Sequence, residues 1–329
     1  MELESTKLSL ESLPRSVTHP LSELTRRESW RRARTQIETN NSKSNITRFY
    51  PRRKWVVFTT FLKLFGLLVW ITGFYRLGKR RAHALKLTSL ELEIPSLTRD
   101  FDGFEILHLS DIHFDRMESI SKKIADLMKN RKPDLIVMTG DYKDNMRRPA
   151  ELFSHEFEFL SKNLKSRYGI YAILGNHDSA DMVPVIERHG INVLINQSVE
   201  INNGQSSFAL TGVDDVHYFF TPEAIAALDS APNLPVKILL VHSPEMVKEA
   251  AERNYSLYLC GHTHGGQVAL PNGRAIVTHL NTGKEFSSGK WRQGKLQGYT
   301  SSGCGVSGLT IRFNTQSEVT LIKLRSPTF

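Results

Sequence analysis

The pattern of apolar and polar positions changes near residue 88 of this 329-residue chain. Beyond that point, short apolar runs with the length and β-character of buried strands alternate with stretches of helical period. The predicted strands are 90–94, 104–109, 134–139, 169–174, 236–241, 255–260 and 319–324. The longest predicted helices are 118–130 and 150–165. This alternation predicts an α/β domain, α+β in some classification schemes, over residues 88–329.

An apolar stretch, Trp55 to Tyr75, lies within residues 46–86 and precedes that domain. Its twenty-one residues include one Lys, and Trp or Tyr stands at both ends, which is typical of a bilayer-spanning helix with interfacial anchors. Lys63 would be costly in a full span but not in a helix that lies in the headgroup plane. The sequence therefore predicts one membrane-associated helix, spanning or interfacial. The alternative is a buried core helix.

Residues 1–45 are rich in Ser, Thr, Glu and Arg and show no sustained hydrophobic period. We expect this basic segment to be mostly disordered, with a short helix around residues 21–34 as the exception.

Charge is distributed unevenly along the chain. Residues 1–86 contain eighteen Lys and Arg against six Asp and Glu, whereas residues 87–329 contain twenty-five against twenty-eight. A nucleic-acid-binding function for the whole protein therefore loses its main support. Lys and Arg beside an apolar helix suit anionic lipid on the cytoplasmic leaflet instead. Cys260 and Cys304 are too few for a disulfide framework and are expected to be reduced thiols in a cytoplasmic domain.

Potential metal ligands follow five of the predicted strands. They are Asp111, His113, Asp141, Asn176, His177, Asp178, His242, His262 and His264. Ligands of α/β sheets bind beyond the carboxyl ends of the strands, so these residues are expected to converge at one rim. Each aspartate taken alone is equally consistent with a helix-cap or turn role. Together, carboxylate, imidazole and amide oxygen suit Mn²⁺, Fe²⁺ or Zn²⁺, and paired ions of this kind assist hydrolysis of phosphoesters or phosphoanhydrides.

The order and spacing of these residues resemble a known family signature. Asp111-x-His113, Gly140-Asp141, Gly175-Asn176-His177-Asp178, His242 and Gly261-His262-Thr263-His264 look like the motifs of the calcineurin-like metallophosphoesterases. The resemblance covers roughly residues 88–325 and implies two facing mixed β-sheets flanked by helices, an αββα sandwich.

The resemblance also implies a dinuclear metal centre, with Mn²⁺ favoured and Fe²⁺ or Zn²⁺ possible. One ion would be held by Asp111, His113, Asp141 and His264, and the other by Asp141, Asn176, His242 and His262. By the same resemblance, His177 would act near the leaving-group oxygen, and Asp178 would orient His177 through its second nitrogen.

Three further features look like the membrane-tethered bacterial branch of this family. They are Gly265-Gly266-Gln267, the segment Val241 to Glu245, and the apolar stretch before the first strand. Within that branch the chain resembles the UDP-2,3-diacylglucosamine pyrophosphatases of lipid A synthesis, which implies an acylated sugar-nucleotide substrate and a place on the cytoplasmic side of the bacterial inner membrane. Membrane lipid is then a partner, whereas no nucleic acid and no obligate protein partner is evident. The alternatives are another phosphodiester or phosphomonoester substrate, or a non-catalytic membrane-bound scaffold.

Four residues are candidates for substrate contact. Arg147 and Arg148 follow Asp141 closely and could meet a phosphate or lipid headgroups, although a solvated basic turn is an equal alternative. Phe219 and Phe220 belong to an aromatic loop that could receive acyl chains, with core packing as the alternative.

Overall fold

The computed structural model of the chain describes residues 20–44, 60 and 64–327. Its α-helices are α1 Pro20–Ser44, α2 64–71, α3 Phe74–His83, α4 Ile120–Met128, α5 Ser154–Asn163, α6 Met182–Glu187, α7 Pro222–Asp229 and α8 Val247–Glu252. Its strands are β1 Lys86–Glu93, β2 Glu105–Leu109, β3 Leu135–Met138, β4 Ile170–Ala172, β5 Asn192–Val193, β6 Gln197–Asn202, β7 Ser207–Gly212, β8 Lys237–Leu240, β9 Leu257–Cys260, β10 Gly289–Gln293, β11 Leu296–Thr300 and β12 Glu318–Arg325.

The strands form two six-stranded mixed sheets. The first has the order β1-β12-β2-β3-β4-β5, in which β12 is antiparallel to β2 and the other neighbours are parallel. The second has the order β10-β11-β9-β8-β7-β6, in which the two edge pairs are antiparallel and the inner pairs are parallel. The two mixed sheets predicted from the family resemblance are confirmed.

Apolar side chains of the central strands alternate between two layers of core. Ile106 of β2 and Val137 of β3 pack between the sheets, together with Leu240 and Leu259 of the second sheet. Their chain neighbours Leu107 and Ile136 point to the other face, where the buried side chains of α4, α5 and α6 cover them. On the second sheet, α7 and α8 cover the outer face. The fold is an αββα sandwich, because each sheet must bury both of its apolar faces.

This topology brings the predicted ligand loops to one rim. Strands β2, β3 and β4 are parallel neighbours in the first sheet, and β8 and β9 are parallel neighbours in the second. Their carboxyl ends therefore lie side by side, as predicted for an α/β ligand site.

The N-terminal segment differs from the prediction. The short helix expected around residues 21–34 is present but longer, because Pro20–Ser44 forms the 25-residue helix α1, so the expected disorder is wrong for residues 35–44. The helix docks on the sandwich through polar side chains such as Arg34, which is 2% exposed. Residues 1–19 lie outside the described part of the chain.

The apolar segment is described only in part, since residues 55–59 and 61–63 lie outside it. Residues 64–71 are helical, Gly73 turns the chain with φ 77°, and α3 leads into β1. Several large apolar side chains of α2 and α3 are exposed, so the alternative of a buried core helix is wrong for these residues. Among the described residues, no helix is long and apolar enough to cross a membrane.

Candidate metal centre

Two groups of buried side chains face each other at the rim of the sandwich. The first is Asp111, His113 and His264, and the second is Asp141, His242 and His262. Within each group, one ligand atom of every residue lies within 4.8 Å of the others. All six residues are at most 8% exposed. Convergence of buried carboxylates and imidazoles on a small volume suits a cation, because neither residue type is buried cheaply without a partner.

The first group joins the two sheets. His113, after β2, places its Nε2 atom 3.2 Å from Nε2 of His264, which follows β9. The Asp111 Oδ1 atom lies 3.5 Å from the same His264 nitrogen. The Asp111 carboxylate also accepts hydrogen bonds from the His262 backbone N–H at 3.1 Å and from the Ser110 hydroxyl at 2.6 Å. These contacts fix the carboxylate between the sheets.

Asn176 belongs to the second group. Its Oδ1 atom lies 2.8 Å from His262 Nδ1 and 3.0 Å from His242 Nε2. His242 Nδ1–H donates to the Thr139 carbonyl oxygen at 2.7 Å, which leaves Nε2 to face the other ligands. A carboxamide oxygen beside two imidazoles matches the ligand set that the sequence resemblance implies for one ion.

Asp141 lies between the two groups. Its Oδ2 atom is 3.3 Å from His242 Nε2 of the second group and 3.8 Å from His113 Nε2 of the first. Its Oδ1 atom accepts a hydrogen bond from the His177 backbone N–H at 2.9 Å. A carboxylate that is shared by two ions must lie between their ligand groups, as Asp141 does.

The backbone at the centre is held in an unusual conformation. Five candidate ligands have positive φ, namely Asp111, His113, Asp141, His262 and His264. Non-glycine residues rarely adopt this region, and such residues persist only where the surrounding structure imposes them. Gly140, with φ 90°, has a further constraint, because a Cβ there would overlap the backbone of Gly175. The sequence predicts turns at the ligands, but no local pattern in it predicts this strain.

Electrostatics at the centre differ between the histidine ligands. Burial lowers the pKa of His262 and His264 well below the ordinary value, and neighbouring histidines lower each further, so both imidazoles are neutral. Burial acts in the same direction on His242, but the Asp141 carboxylate outweighs it and raises the pKa of His242 to about 10. A divalent ion on this carboxylate–imidazole pair would replace the proton. The donor set therefore fits two divalent ions, which would neutralise phosphoryl oxygens and activate water.

The predicted relation between His177 and Asp178 is wrong. His177 Nδ1–H donates to the Asp144 carbonyl oxygen at 2.6 Å, not to Asp178. The Asp178 carboxylate instead accepts backbone N–H groups of Gly175 and Asp141 at 2.8 Å and of Tyr142 at 2.9 Å. A carboxylate one residue beyond His177 reaches back into its own turn more easily than it reaches the ring. Asp178 therefore organises the backbone of two ligand loops, and Asp144 orients His177.

His177 itself is only partly buried, whereas the six residues of the two groups are buried. The carboxylates of Asp141 and Asp144 oppose the effect of burial and raise its pKa above the ordinary value. His177 therefore lies at the solvent-exposed side of the metal centre. In its protonated form, this imidazole is suited to donate a proton to a leaving group.

Two further residues, His217 and Arg312, support the ligands and were not predicted from the sequence. His217 packs its ring 4.5 Å from the ring of His262 and places Nδ1 2.7 Å from Glu245 Oε2. The buried Arg312 donates to the His264 carbonyl oxygen at 2.9 Å and to that of Gly305 at 2.8 Å. No local sequence signal marks the contacts of His217 with Glu245 and of Arg312 with His264, because each pair is far apart in the chain.

The predicted substrate contacts have different outcomes. Phe219 is 1% exposed and lies under the guanidinium of Arg34, so its predicted contact with acyl chains is wrong, because the ring is packed inside the protein. Phe220 is 50% exposed. Arg147 and Arg148 are exposed on the loop that follows Asp144, and Arg148 lies 3.9 Å from Asp115. A role in substrate contact stays a prediction for these three residues.

Two adjacent groups of carboxylates and imidazoles at the rim of an αββα sandwich define a metal-dependent phosphoester hydrolase. Comparison with known proteins agrees. The chain belongs to the calcineurin-like metallophosphoesterase family, whose description "Calcineurin-like phosphoesterase" matches residues 104–266. The family places two divalent ions at this centre. Family membership and the complete ligand set weigh against the non-catalytic scaffold.

Individual relatives cover most of the domain. The metallophosphoesterase YkuE of Bacillus subtilis (strain 168) is 30% identical over 254 residues, which are 74% of this chain and 87% of that protein. The phosphodiesterase YaeI of Escherichia coli (strain K12) is 31% identical over 67% of this chain and 82% of its own length. A zebrafish (Danio rerio) protein named transmembrane protein with metallophosphoesterase domain is 27% identical over 82% of this chain and 62% of its own length.

Proposed function

We propose that this metallophosphoesterase hydrolyses the pyrophosphate of UDP-2,3-diacylglucosamine at the bacterial inner membrane, with the catalytic domain on the cytoplasmic side. The products are UMP and 2,3-diacylglucosamine 1-phosphate, an intermediate of lipid A biosynthesis. The sequence resemblance to LpxG, a pyrophosphatase of this substrate, motivates the proposal. The observation that carries it is an exposed apolar surface on α2 and α3, two helices that pack against the segment that binds Asp144.

We call this surface the apolar face. It consists of Leu64, Leu67, Leu68, Trp70, Ile71, Phe74 and Leu77, which are between 41% and 67% exposed. Soluble domains rarely expose so many large apolar side chains on one short segment, and such a surface marks a site of interaction. Arg76, Lys79 and Arg80 are exposed beside it. Apolar side chains flanked by Lys and Arg suit the interface of an anionic membrane.

A short series of contacts connects the apolar face with the metal centre. Gly66 of α2 lies against Leu309, and Gly78 of α3 lies against Phe313. Two residues before Leu309, the Ser307 hydroxyl donates to the Asp144 carboxylate at 2.6 Å. Asp144 in turn accepts the Nδ1–H of His177 through its carbonyl oxygen. A membrane in contact with the apolar face would therefore lie near the mouth of the centre. This geometry suits a substrate whose acyl chains lie in the bilayer and whose pyrophosphate lies in the headgroup plane.

In this proposal Asp111, His113, Asp141 and His264 hold one ion, and Asp141, Asn176, His242 and His262 hold the other. Mn²⁺ is favoured, because mixed carboxylate, imidazole and amide ligands suit it. His177 acts near the leaving-group oxygen, and Arg147 or Arg148 contacts a substrate phosphate or lipid headgroups. The name of YaeI supports the alternative that the substrate is another phosphodiester. The name of the zebrafish relative supports membrane association.

The reaction is tested with purified protein and Mn²⁺ on UDP-2,3-diacylglucosamine, with bis(p-nitrophenyl) phosphate assayed in parallel. We expect UMP from the wild-type protein and none from Asp141→Asn. Cleavage of the small diester without formation of UMP would refute the proposed substrate but support the hydrolase activity. Cleavage of neither compound, in protein that binds Mn²⁺, would refute both.

Membrane binding is tested by sedimentation with vesicles that contain anionic phospholipid. Trp70 and Ile71 are 67% and 66% exposed. Burial of their remaining surface contributes about 1–2 kcal/mol each, so Trp70→Ser with Ile71→Ser should weaken partition roughly 30-fold or more. The matched control is Leu152→Ser with Phe159→Ser, which removes exposed apolar side chains of another region. Equal partition of the two double variants would contradict the membrane contact.

A further inference from the structure

The N-terminal helix α1 contacts the catalytic domain through one polar face. Arg26, Trp30, Arg34 and Glu38 are spaced four residues apart and therefore share a side of the helix. Arg26 donates to the Asn196 carbonyl oxygen at 2.6 Å, and the Trp30 indole N–H donates to the Asp214 carboxylate at 2.6 Å. The Glu38 carboxylate accepts the Ala180 backbone N–H at 2.9 Å.

Arg34 is the most deeply buried residue of this face, and it contacts the loop that carries two site residues. Its Nη2 atom donates to the carbonyl oxygens of Gly175 at 3.0 Å and Asp178 at 2.7 Å. These two residues bracket Asn176 and His177. The guanidinium of Arg34 therefore holds both ends of the four-residue turn that places Asn176 and His177 at the centre.

The same guanidinium holds a second loop. Its Nη1 atom pairs with the Asp214 carboxylate, and its carbon atom Cζ lies 3.8 Å from the centre of the Phe219 ring. This loop follows β7 of the second sheet, whereas the loop that contains Gly175 follows β4 of the first. The second loop also contains His217, whose ring packs against His262. Arg34 thus connects the two sheets beside the second group of ligands.

Arg312, which belongs to the catalytic domain itself, holds the backbone of His264 in a comparable way. Both arginines are buried, and both donate to carbonyl oxygens of ligand loops. The planar guanidinium suits this task, because it presents several donors in fixed directions. The difference is that Arg34 comes from a helix that precedes the apolar segment in the chain.

We propose that Arg34 is a positioning residue of the hydrolytic site and that α1 is therefore required for full activity of the catalytic domain. Loss of the guanidinium would leave two loop carbonyls and the Asp214 carboxylate without their buried partner, so the turn that bears Asn176 and His177 would shift or loosen. The proposal rests on the hydrolase activity of the metal centre and is independent of the lipid substrate.

The test compares Arg34→Ala with Arg32→Ala in the full chain. Arg32 is the matched control, because its side chain is 80% exposed two residues away on the same helix. With Mn²⁺ and bis(p-nitrophenyl) phosphate, Arg34→Ala should lower kcat by about 10- to 100-fold, the usual range for partners of metal ligands, and leave KM within about twofold. Arg32→Ala should match the wild type.

Hydrogen–deuterium exchange gives a readout that does not depend on turnover. In Arg34→Ala, peptides that cover residues 175–180 and 213–219 should exchange faster, whereas those of α5 should be unchanged. Mn²⁺ retained per chain after dialysis should fall, because Asn176 is one of the proposed ligands. Unchanged exchange together with unchanged kcat would overturn the proposal, as would uniformly faster exchange with normal kcat.

Arg34→Lys covers the case in which the alanine variant does not fold. Lysine keeps the charge but cannot hold two carbonyl oxygens and a carboxylate in one plane, so kcat should fall about three- to tenfold in a folded protein. Wild-type kcat in Arg34→Lys would overturn the role of the guanidinium. If only the assay with the lipid substrate failed, this inference would stand, because it is tested by hydrolysis of bis(p-nitrophenyl) phosphate.

Discussion

Replacing Asp178 with asparagine distinguishes its structural role from a role in orienting His177. The carboxylate accepts three buried backbone N–H groups, from Gly175, Asp141 and Tyr142. In Asp178→Asn one oxygen becomes an NH₂ group that faces a donor, so at least one buried N–H loses its acceptor, at about 1–3 kcal/mol. Burial and the Asp141 carboxylate raise the pKa of Asp178, which means that the charged carboxylate is disfavoured at this position. The neutral asparagine avoids that cost, and this offsets part of the loss. We expect a net loss of about 1 kcal/mol in the free energy of unfolding.

The assay is urea unfolding of the metal-free protein, followed by circular dichroism, with kcat of the Mn²⁺-loaded protein measured in parallel. His177→Ala is the comparison, because it removes a partly exposed ring with one hydrogen bond, to the Asp144 carbonyl oxygen. It should lower the unfolding midpoint less than Asp178→Asn does and lose activity. Asp178→Asn should unfold at lower urea. If instead Asp178→Asn unfolded like the wild type and reproduced the kinetics of His177→Ala, the assignment of Asp178 to the loop backbone would be refuted.

Three further predictions concern the metal ligands, a buried histidine and the thiols. Asp141→Asn should lower bound Mn²⁺ from about two ions per chain to about one or fewer, measured by elemental analysis; two retained ions would show that Asp141 is not shared. Burial lowers the pKa of His108 to about 3, so the stability it contributes is complete above pH 6.5 and is lost as the pH falls toward 3. Between pH 6.5 and 4.5, the free energy of unfolding of His108→Gln should therefore fall by about 2 kcal/mol less than that of the wild type. Urea titrations at the two pH values would contradict this if both proteins lost the same amount. Burial raises the pKa of Cys260, and that of Cys304 to about 12, so iodoacetamide at pH 8 should modify both thiols only in urea; mass spectrometry of the folded protein would reveal any exception.

The sequence allowed prediction of the features that depend on local pattern. The strands β2, β3, β8 and β9 are short apolar runs, and a ligand residue follows each of them. The position of the centre at one rim follows from the parallel arrangement of such strands. What the pattern could not provide was the partner of each side chain. The contact of His177 with Asp144, across thirty-three residues, is an example.

The sequence indicated only a short helix within α1, and the full length and docking of α1 were not predicted for a physical reason. Sequence reading recognises a docked helix by an aliphatic stripe, and α1 docks through arginines, a tryptophan and a glutamate. Such residues usually face water, so the same pattern is typical of a solvated or disordered segment. Only the carbonyl and carboxylate acceptors on the domain surface, which come from distant loops, explain why this face is buried.

The place of β12 in the first sheet affects the order in which the protein can be assembled. This strand lies between β1 and β2, so the first two strands of the domain cannot be joined until residues 318–325 have been synthesised. During translation α1 and the apolar face leave the ribosome long before the catalytic domain can close. A chain stopped shortly before residue 318 would retain every proposed metal ligand and still have a gap in its sheet. We therefore expect the first sheet to close only after β12 has left the ribosome.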